Sequence, residues 1–309
     1  MQIETADQLN TAVRSGFTAR YIEQEEARLR REISSIADRI IQSGRALKWV
    51  WLAGPSSSGK TTFTRKLSRE LGRRGIRTHP ISLDNYFVNR ALTPRDAKGE
   101  YDYEHIDALD LTLLERHIDD LSGGKTIELP HFKFLHGKRE FRGELLKLQS
   151  NELALIEGIH GLNPRLTSFV DPRHSFKIYI CARTTLKIDH QTRISTTDHR
   201  MLRRMIRDFN YRGHTVEKSF SLWPSVRAGE DRWIFPFQPL ADIEFNSAMG
   251  YELPVLKPLA EPLIRALPRS HPGIKKAREL LELLGCFEGI SKSIVPKDSI
   301  LQEFIETPD

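Results

Sequence analysis

Cysteine is almost missing from this sequence: Cys181 and Cys286 are the two among 309 residues. Two are too few for a disulfide framework or a cysteine-built zinc site. Long apolar runs are missing as well. The longest are strand-sized, well short of the roughly 20 residues that span a bilayer, and no charged-then-apolar leader opens the chain. These absences argue against a disulfide-stapled secreted module and against a membrane-spanning chain, and the expected compartment is a reducing cytoplasm.

What is present fits a folded globular protein. Hydrophobic residues make up 39% and charged residues 28%, outside the low-hydrophobicity, high-charge range of disordered chains. The net charge of +6 is unevenly placed, because six arginines fall between Arg193 and Arg212. A dispersed basic face would suggest nucleic acid; an arginine-dense helix suggests closure on a small phosphorylated ligand. Arg200, Arg203, Arg204 and Arg207 recur at i, i+3 and i+4, so they share one broad helix face. Crowded like charges repel until an anion arrives, the behaviour expected of a lid over 190–215.

The stretch Gly54-Pro55-Ser56-Ser57-Ser58-Gly59-Lys60-Thr61 fits G-x-x-x-x-G-K-[ST]. The apolar run from Leu47 to Ala53 precedes it, and Thr62 to Leu67, with Phe63 and Leu67 at helical spacing, follows. That context is strand, glycine loop, helix. Such a loop turns backbone N–H groups inward around a polyphosphate, and the helix start adds its positive dipole end. Gly54, Ser56, Ser57, Ser58, Gly59 and Thr62 are the expected cradle. Lys60 is expected on the outer phosphates and the Thr61 hydroxyl on magnesium. ATP and GTP both fit these residues. A GTPase fits less well, because no Asn-Lys-x-Asp motif is present and the one Asp-x-x-Gly, Asp120 to Gly123, follows an expected helix.

Around the loop, helices are expected over 6–15 and 18–43, the second carrying an Ile22, Leu29, Ile33, Ile36, Ile40 stripe. A strand over 77–83 ends on Asp84. A right-handed crossover makes it parallel to the strand before the loop, so Asp84 faces the phosphates, where a carboxylate can accept a hydroxyl proton or hold magnesium. Residues 85–150 are too long for a simple connection and contain a helix pattern from Leu109 to Leu121 and a hairpin turning at His136-Gly137-Lys138. The buried run from Leu153 ends on Glu157 and Gly158, placing a second acid beside the metal. His160 reads as a structural hydrogen-bonding residue. Trp223 to Glu230 and Phe235 to Pro239 read as a proline-rich passage, and beyond Lys257 helices are expected to break at Pro262, Pro268 and Pro272.

The order GPSSSGKTT, SLDNYF, YDYEHIDALD, ELPHFKFLHGKR, LALIEGIHGL, MLRRMIRDFNYRGH resembles the uridine kinase and phosphoribulokinase family of P-loop kinases over about residues 46–250. It is most similar to nucleoside kinases that carry, ahead of the kinase, a domain similar to the TGS and editing region of threonyl-tRNA synthetase, a domain not among these residues. The resemblance implies an α/β P-loop NTPase three-layer fold with a mostly parallel sheet. A helical segment is expected over 1–45, the kinase domain over 46–256 with its acceptor-binding insertion over 85–150, and a helical extension over 257–309. It implies Asp84 and Lys60 as catalytic groups together with Arg204 and Arg207, Arg212 on the nucleotide phosphates, and Thr61, Asp84 and Glu157 at magnesium. It implies Asp84, Tyr86, Tyr103, Glu104, Phe132, His136 and Arg139 on the acceptor, and a homo-oligomer.

Four positions depart from the uridine kinase pattern: Phe132 stands for Tyr, Gly137 for His, Glu104 for Asp and His214 for the last lid Arg. The expected reaction is transfer of a nucleotide γ-phosphate to the primary hydroxyl of a nucleoside or related small hydroxyl compound. A sugar-phosphate or small-metabolite kinase, or a nucleotide-gated RNA-binding module, are the competing readings.

Overall fold

The computed structural model describes residues 3–96, 99–134 and 136–307. Two helices come first, α1 (Ala6–Arg14) and α2 (Thr18–Ile41). The central elements follow as β1 (Trp49–Ala53), α3 (Lys60–Arg73), β2 (Thr78–Ser82), α4 (Leu111–Ser122), the hairpin β3 (Thr126–Lys133) and β4 (Lys138–Lys147), and β5 (Leu153–Glu157). The remainder is α5 (Pro164–Thr167), β6 (Ser175–Cys181), α6 (Thr196–Arg212), α7 (Val216–Trp233), β7 (Ile243–Asn246), α8 (Glu252–Arg265), α9 (Ile274–Gly285) and α10 (Gln302–Ile305).

One five-stranded sheet runs β2-β5-β1-β6-β7, with every neighbouring pair parallel. Sequence pattern dictates this. β1 and β5 are apolar throughout and buried on both faces, as parallel strands covered by helices must be. Alternate residues serve opposite cores: Val50 and Leu52 meet α2, α3 and the C-terminal helices, whereas Trp49, Trp51 and Ala53 meet α4 and the hairpin side. Three layers result. Register brings Leu52, Ser82 and Glu157 side by side where β1, β2 and β5 end, so the segments leaving these strands share one edge.

Two proline expectations are corrected. α7 runs through Pro224, and α8 runs through Pro258 and Pro262 before stopping ahead of Pro268. These prolines face solvent. The missing N–H of Pro258 frees the carbonyl of Pro254, and that carbonyl accepts the N–H of Ile290 instead (3.0 Å). A break is avoided because the orphaned acceptor finds another donor or water.

The turn around α10 is firmly seated. Ile300, Leu301 and Phe304 are fully buried, each contributing about 1.5–3 kcal/mol by burial. The Arg203 guanidinium lies 4.8 Å above the Phe304 ring.

Candidate active site

The loop between β1 and α3 is shaped by close approaches that side chains would prevent. A Cβ on Gly54 would sit 2.1 Å from the carbonyl oxygen of Ile180. Gly59 caps α3 in the left-handed region at φ 81°, and Ser57, at φ 61°, is the one non-glycine with positive φ among the described residues. Left-handed backbone at a serine is held only by its surroundings.

Those surroundings are three carbonyl anchors. Arg200 Nε donates to Ser56 O (3.0 Å), Arg203 Nη1 donates to Ser57 O (3.2 Å), and Ser247 Oγ donates to Ser58 O (2.6 Å). In a trans peptide, C=O and N–H point in opposite directions. Drawing the Ser56 and Ser58 carbonyls outward therefore turns the N–H groups of Ser57 and Gly59 the other way, while that of Ser58 bonds Pro55 O. Arg200 is itself paired with Glu230, and Arg203 with Glu252 (Nε to Oε2, 2.8 Å). Burial works against the Glu252 carboxylate, but Arg203 and His199 outweigh it and hold its pKa down at about 2.

The arginines of α6 thus divide. Arg200 and Arg203 are buried posts beneath the loop; Arg204, Arg207 and Arg212 gather on Asp208 (3.3, 2.7 and 3.5 Å). Arg204 also donates to Ser56 Oγ (2.7 Å). The Arg212 pKa is lowered to about 10, first by the charge of Arg207 and then by burial. Arg207 and Arg212 line a cleft of about 720 Å³ together with Ser56, Ser57, Lys60, Thr61, Thr62, Asp84 and Glu157. Glu303, from a segment in which the sequence showed no chemistry, lines it too.

Lys60 is buried and folds back onto Pro55 O (3.1 Å). Burial lowers its pKa, opposed by Glu157 and Asp84. Asp84 is the second residue of the short turn Leu83–Tyr86 that follows β2. Glu157 accepts from Ser82 Oγ (2.9 Å) and faces Thr61 Oγ1 at 3.4 Å. Burial, and then the Asp84 charge, push its pKa up from 4.5 to about 7. Two neighbouring carboxylates, one of them buried, beside a hydroxyl fit a divalent cation that takes few protein ligands and fills its shell with water and phosphate oxygens. Among the described residues there is no cage of three or more His, Cys, Asp or Glu ligands, which such a cation does not need.

A raised pKa makes ionisation costly in the folded protein: stability is full below about pH 4.5 and is lost as pH rises through about 7. Glu157→Gln is accordingly expected to be more stable than the parent at pH 8, in metal-free buffer, by on the order of 1–3 kcal/mol. The gap should shrink at pH 5. Urea midpoints at the two pH values read this directly; equal gaps would deny Glu157 its raised pKa.

The expected acceptor residues spread over several environments. Glu104 is half-buried 4.0 Å from Arg204, its buried Oε2 has no hydrogen-bond partner, and desolvation first raises its pKa to about 7. Tyr103 is exposed. Tyr86 is buried with its hydroxyl 3.0 Å from His117 Nδ1, and Phe132 packs on Phe87 and Phe134 in the second core. Arg139 pairs with Asp110 (2.8 Å), and His136 is exposed at the hairpin turn. His160 is buried with neither ring nitrogen hydrogen-bonded, so the hydrogen-bonding role expected of it is not seen, and burial keeps its imidazole neutral.

Residues 50–252 match the Phosphoribulokinase / Uridine kinase family. The chain is 28% identical to a uridine kinase of Clostridium perfringens over 198 residues, 63% of this chain and 85% of the relative. It is 30% identical over 206 residues to a uridine kinase of Borrelia turicatae, covering 64% and 85%. In fold it is similar to a possible uridine kinase from Bacillus stearothermophilus (TM-score 0.50, 20% identity), covering 72% of this chain and all of that one. No helix among the described residues is long and apolar enough to cross a membrane. A glycine loop held open from beneath, on a parallel sheet of this order, and a match across two thirds of the sequence make this chain a P-loop kinase of the phosphoribulokinase / uridine kinase family.

Proposed function

We propose that this chain transfers the γ-phosphoryl group of ATP, with magnesium, to the primary hydroxyl of a nucleoside or a related small hydroxyl compound. The observation that carries the reading is the convergence of Lys60, Thr61, Asp84, Glu157, Arg207 and Arg212 on one cleft at the open end of the sheet. Phosphoryl transfer passes through a loose transition state, so positioning and charge neutralisation do most of the work. Lys60 leaves Pro55 O for the outer phosphates. Arg207 and Arg212, already crowded, gain from a polyanion between them. Asp84 orients the acceptor hydroxyl and takes its proton as the oxygen attacks phosphorus and the nucleoside diphosphate leaves.

Thr61, Glu157 and Asp84 would hold magnesium, whose charge screens the phosphates when bound. Because Arg200 and Arg203 are fixed under the loop, closure is confined to the end of α6 and the residues just after it, from Arg207 to His214. The unpaired Oε2 of Glu104 suits a donor such as a ribose hydroxyl, since a buried acceptor left unmade is costly.

Acceptor-dependent ADP release, measured across nucleosides, sugar phosphates and small polyols, tests the reading. At least one nucleoside should raise turnover well above the Lys60→Ala variant. If sugar phosphates alone do so, the nucleoside assignment fails; if nothing does, the kinase reading of the cleft fails.

A further inference from the structure

Glu303 stands in the phosphate cradle. Its Oε2 accepts both from the backbone N–H of Thr62 (3.1 Å) and from the Thr62 hydroxyl (2.8 Å). Thr62 N–H belongs to the first turn of α3, where amides have no partner within the helix and face an incoming anion. A carboxylate bonded there occupies donors that a nucleotide phosphate oxygen would take. Its charge also reaches Lys60 and Glu157.

The segment carrying Glu303 lies outside the residues matched by the family, yet it forms a wall of the cleft through Lys297, Gln302, Glu303 and Glu306. It is secured from below. Ile300 Cγ2 lies 2.7 Å from where a Cβ on Gly59 would be, so the glycine loop and this segment are in direct contact. Tyr251 and Ser299 hydroxyls are 3.2 Å apart, and Asn210 Nδ2 donates to Glu306 O (3.1 Å). The backbone is therefore fixed while the Glu303 side chain reaches the cradle from the partly exposed face of α10. Displacing it takes a side-chain rotation and leaves the segment seated.

We propose that Glu303 is a built-in competitor for the nucleotide: its carboxylate caps Thr62 as a stand-in for the innermost phosphate and must swing out before the polyphosphate can seat. The proposal rests on the nucleotide reading of this loop. It makes Glu303 a determinant of donor affinity that acts on phosphates and leaves the nucleoside portion untouched.

The test is calorimetric titration of the full chain with magnesium-ATP, magnesium-ADP and adenosine, for the parent, Glu303→Ala, Glu303→Gln and Lys60→Ala. Glu303→Ala should bind ATP and ADP roughly 10-fold more tightly, as expected when a charge-assisted hydrogen bond no longer competes. Glu303→Gln, which keeps an acceptor without the charge, should gain less, and adenosine affinity should stay level. Unchanged or weaker ATP binding in both variants, with Lys60→Ala impaired, would overturn the competitor role while sparing the nucleotide site. Failure of the parent and both Glu303 variants to bind any nucleotide would overturn the nucleotide reading and the competitor role together.

Discussion

Replacing Asp84 by Asn should lower turnover by about 10²–10⁴-fold, the range of a positioned general base, with ATP affinity within about twofold of the parent. The asymmetry follows from where the carboxylate sits. Asp84 is the second residue of the turn after β2 and lines the cleft, whereas the glycine loop proposed to hold the phosphates is anchored by α6 and Ser247. Asn keeps the size and a hydrogen-bonding oxygen but cannot take a proton at neutral pH. A fall in kcat without a matching change in nucleotide Kd is the signature of an interaction made in the transition state. Near-normal kcat would remove Asp84 from the chemistry.

The second large effect is expected far from any substrate atom. Arg203→Ala leaves Glu252 buried without its principal cation and frees the Ser57 and Ser247 oxygens that the guanidinium holds. Removing one partner of a buried ion pair costs about 3–5 kcal/mol. Chemical denaturation should show a loss of that order, and ATP binding should weaken because the left-handed Ser57 loses its support. The double variant Arg203→Met/Glu252→Leu separates the two consequences. A buried pair replaced by apolar residues of similar volume often recovers stability, but methionine cannot bond the Ser57 carbonyl. Stability is expected to return in large part and nucleotide affinity is not. Recovery of both would mean that the loop needs no anchor from α6.

Much of this was readable from the sequence because it depends on local pattern. The apolar run, the glycine loop and the Phe63 and Leu67 spacing specify strand, turn and helix between Leu47 and Leu67, and a right-handed crossover then fixes which end Asp84 occupies. Glu157 was legible for the same reason, as the last residue of an apolar strand.

What was not legible depends on contacts distant in sequence. Arg200 and Arg203 sit on the same helix as Arg204 and Arg207, and spacing alone cannot say that the first two meet Glu230 and Glu252 in the core. The crowding that a phosphate was expected to relieve is already relieved, for those two, by carboxylates from α7 and α8. Glu303 lies 241 residues from Thr62 and has no motif around it. The prolines of α7 and α8 misled because the rule against interior proline assumes an orphaned carbonyl, and Ile290 removes the orphan at Pro254. Phe132 and Tyr86 carry substrate positions in the resemblance; here they pack in the second core, a placement set by hairpin and α4 contacts that no single segment reveals.

The most direct test of the central claim is the fate of the γ-phosphoryl group itself. The chain is incubated with magnesium and γ-labelled ATP, with and without a nucleoside, and the label is followed by mass spectrometry. The account predicts label on the primary hydroxyl of the nucleoside, in an amount equal to the ADP formed, and none with Lys60→Ala. Label found as free phosphate, in equal amount whether or not the nucleoside is present, would contradict it.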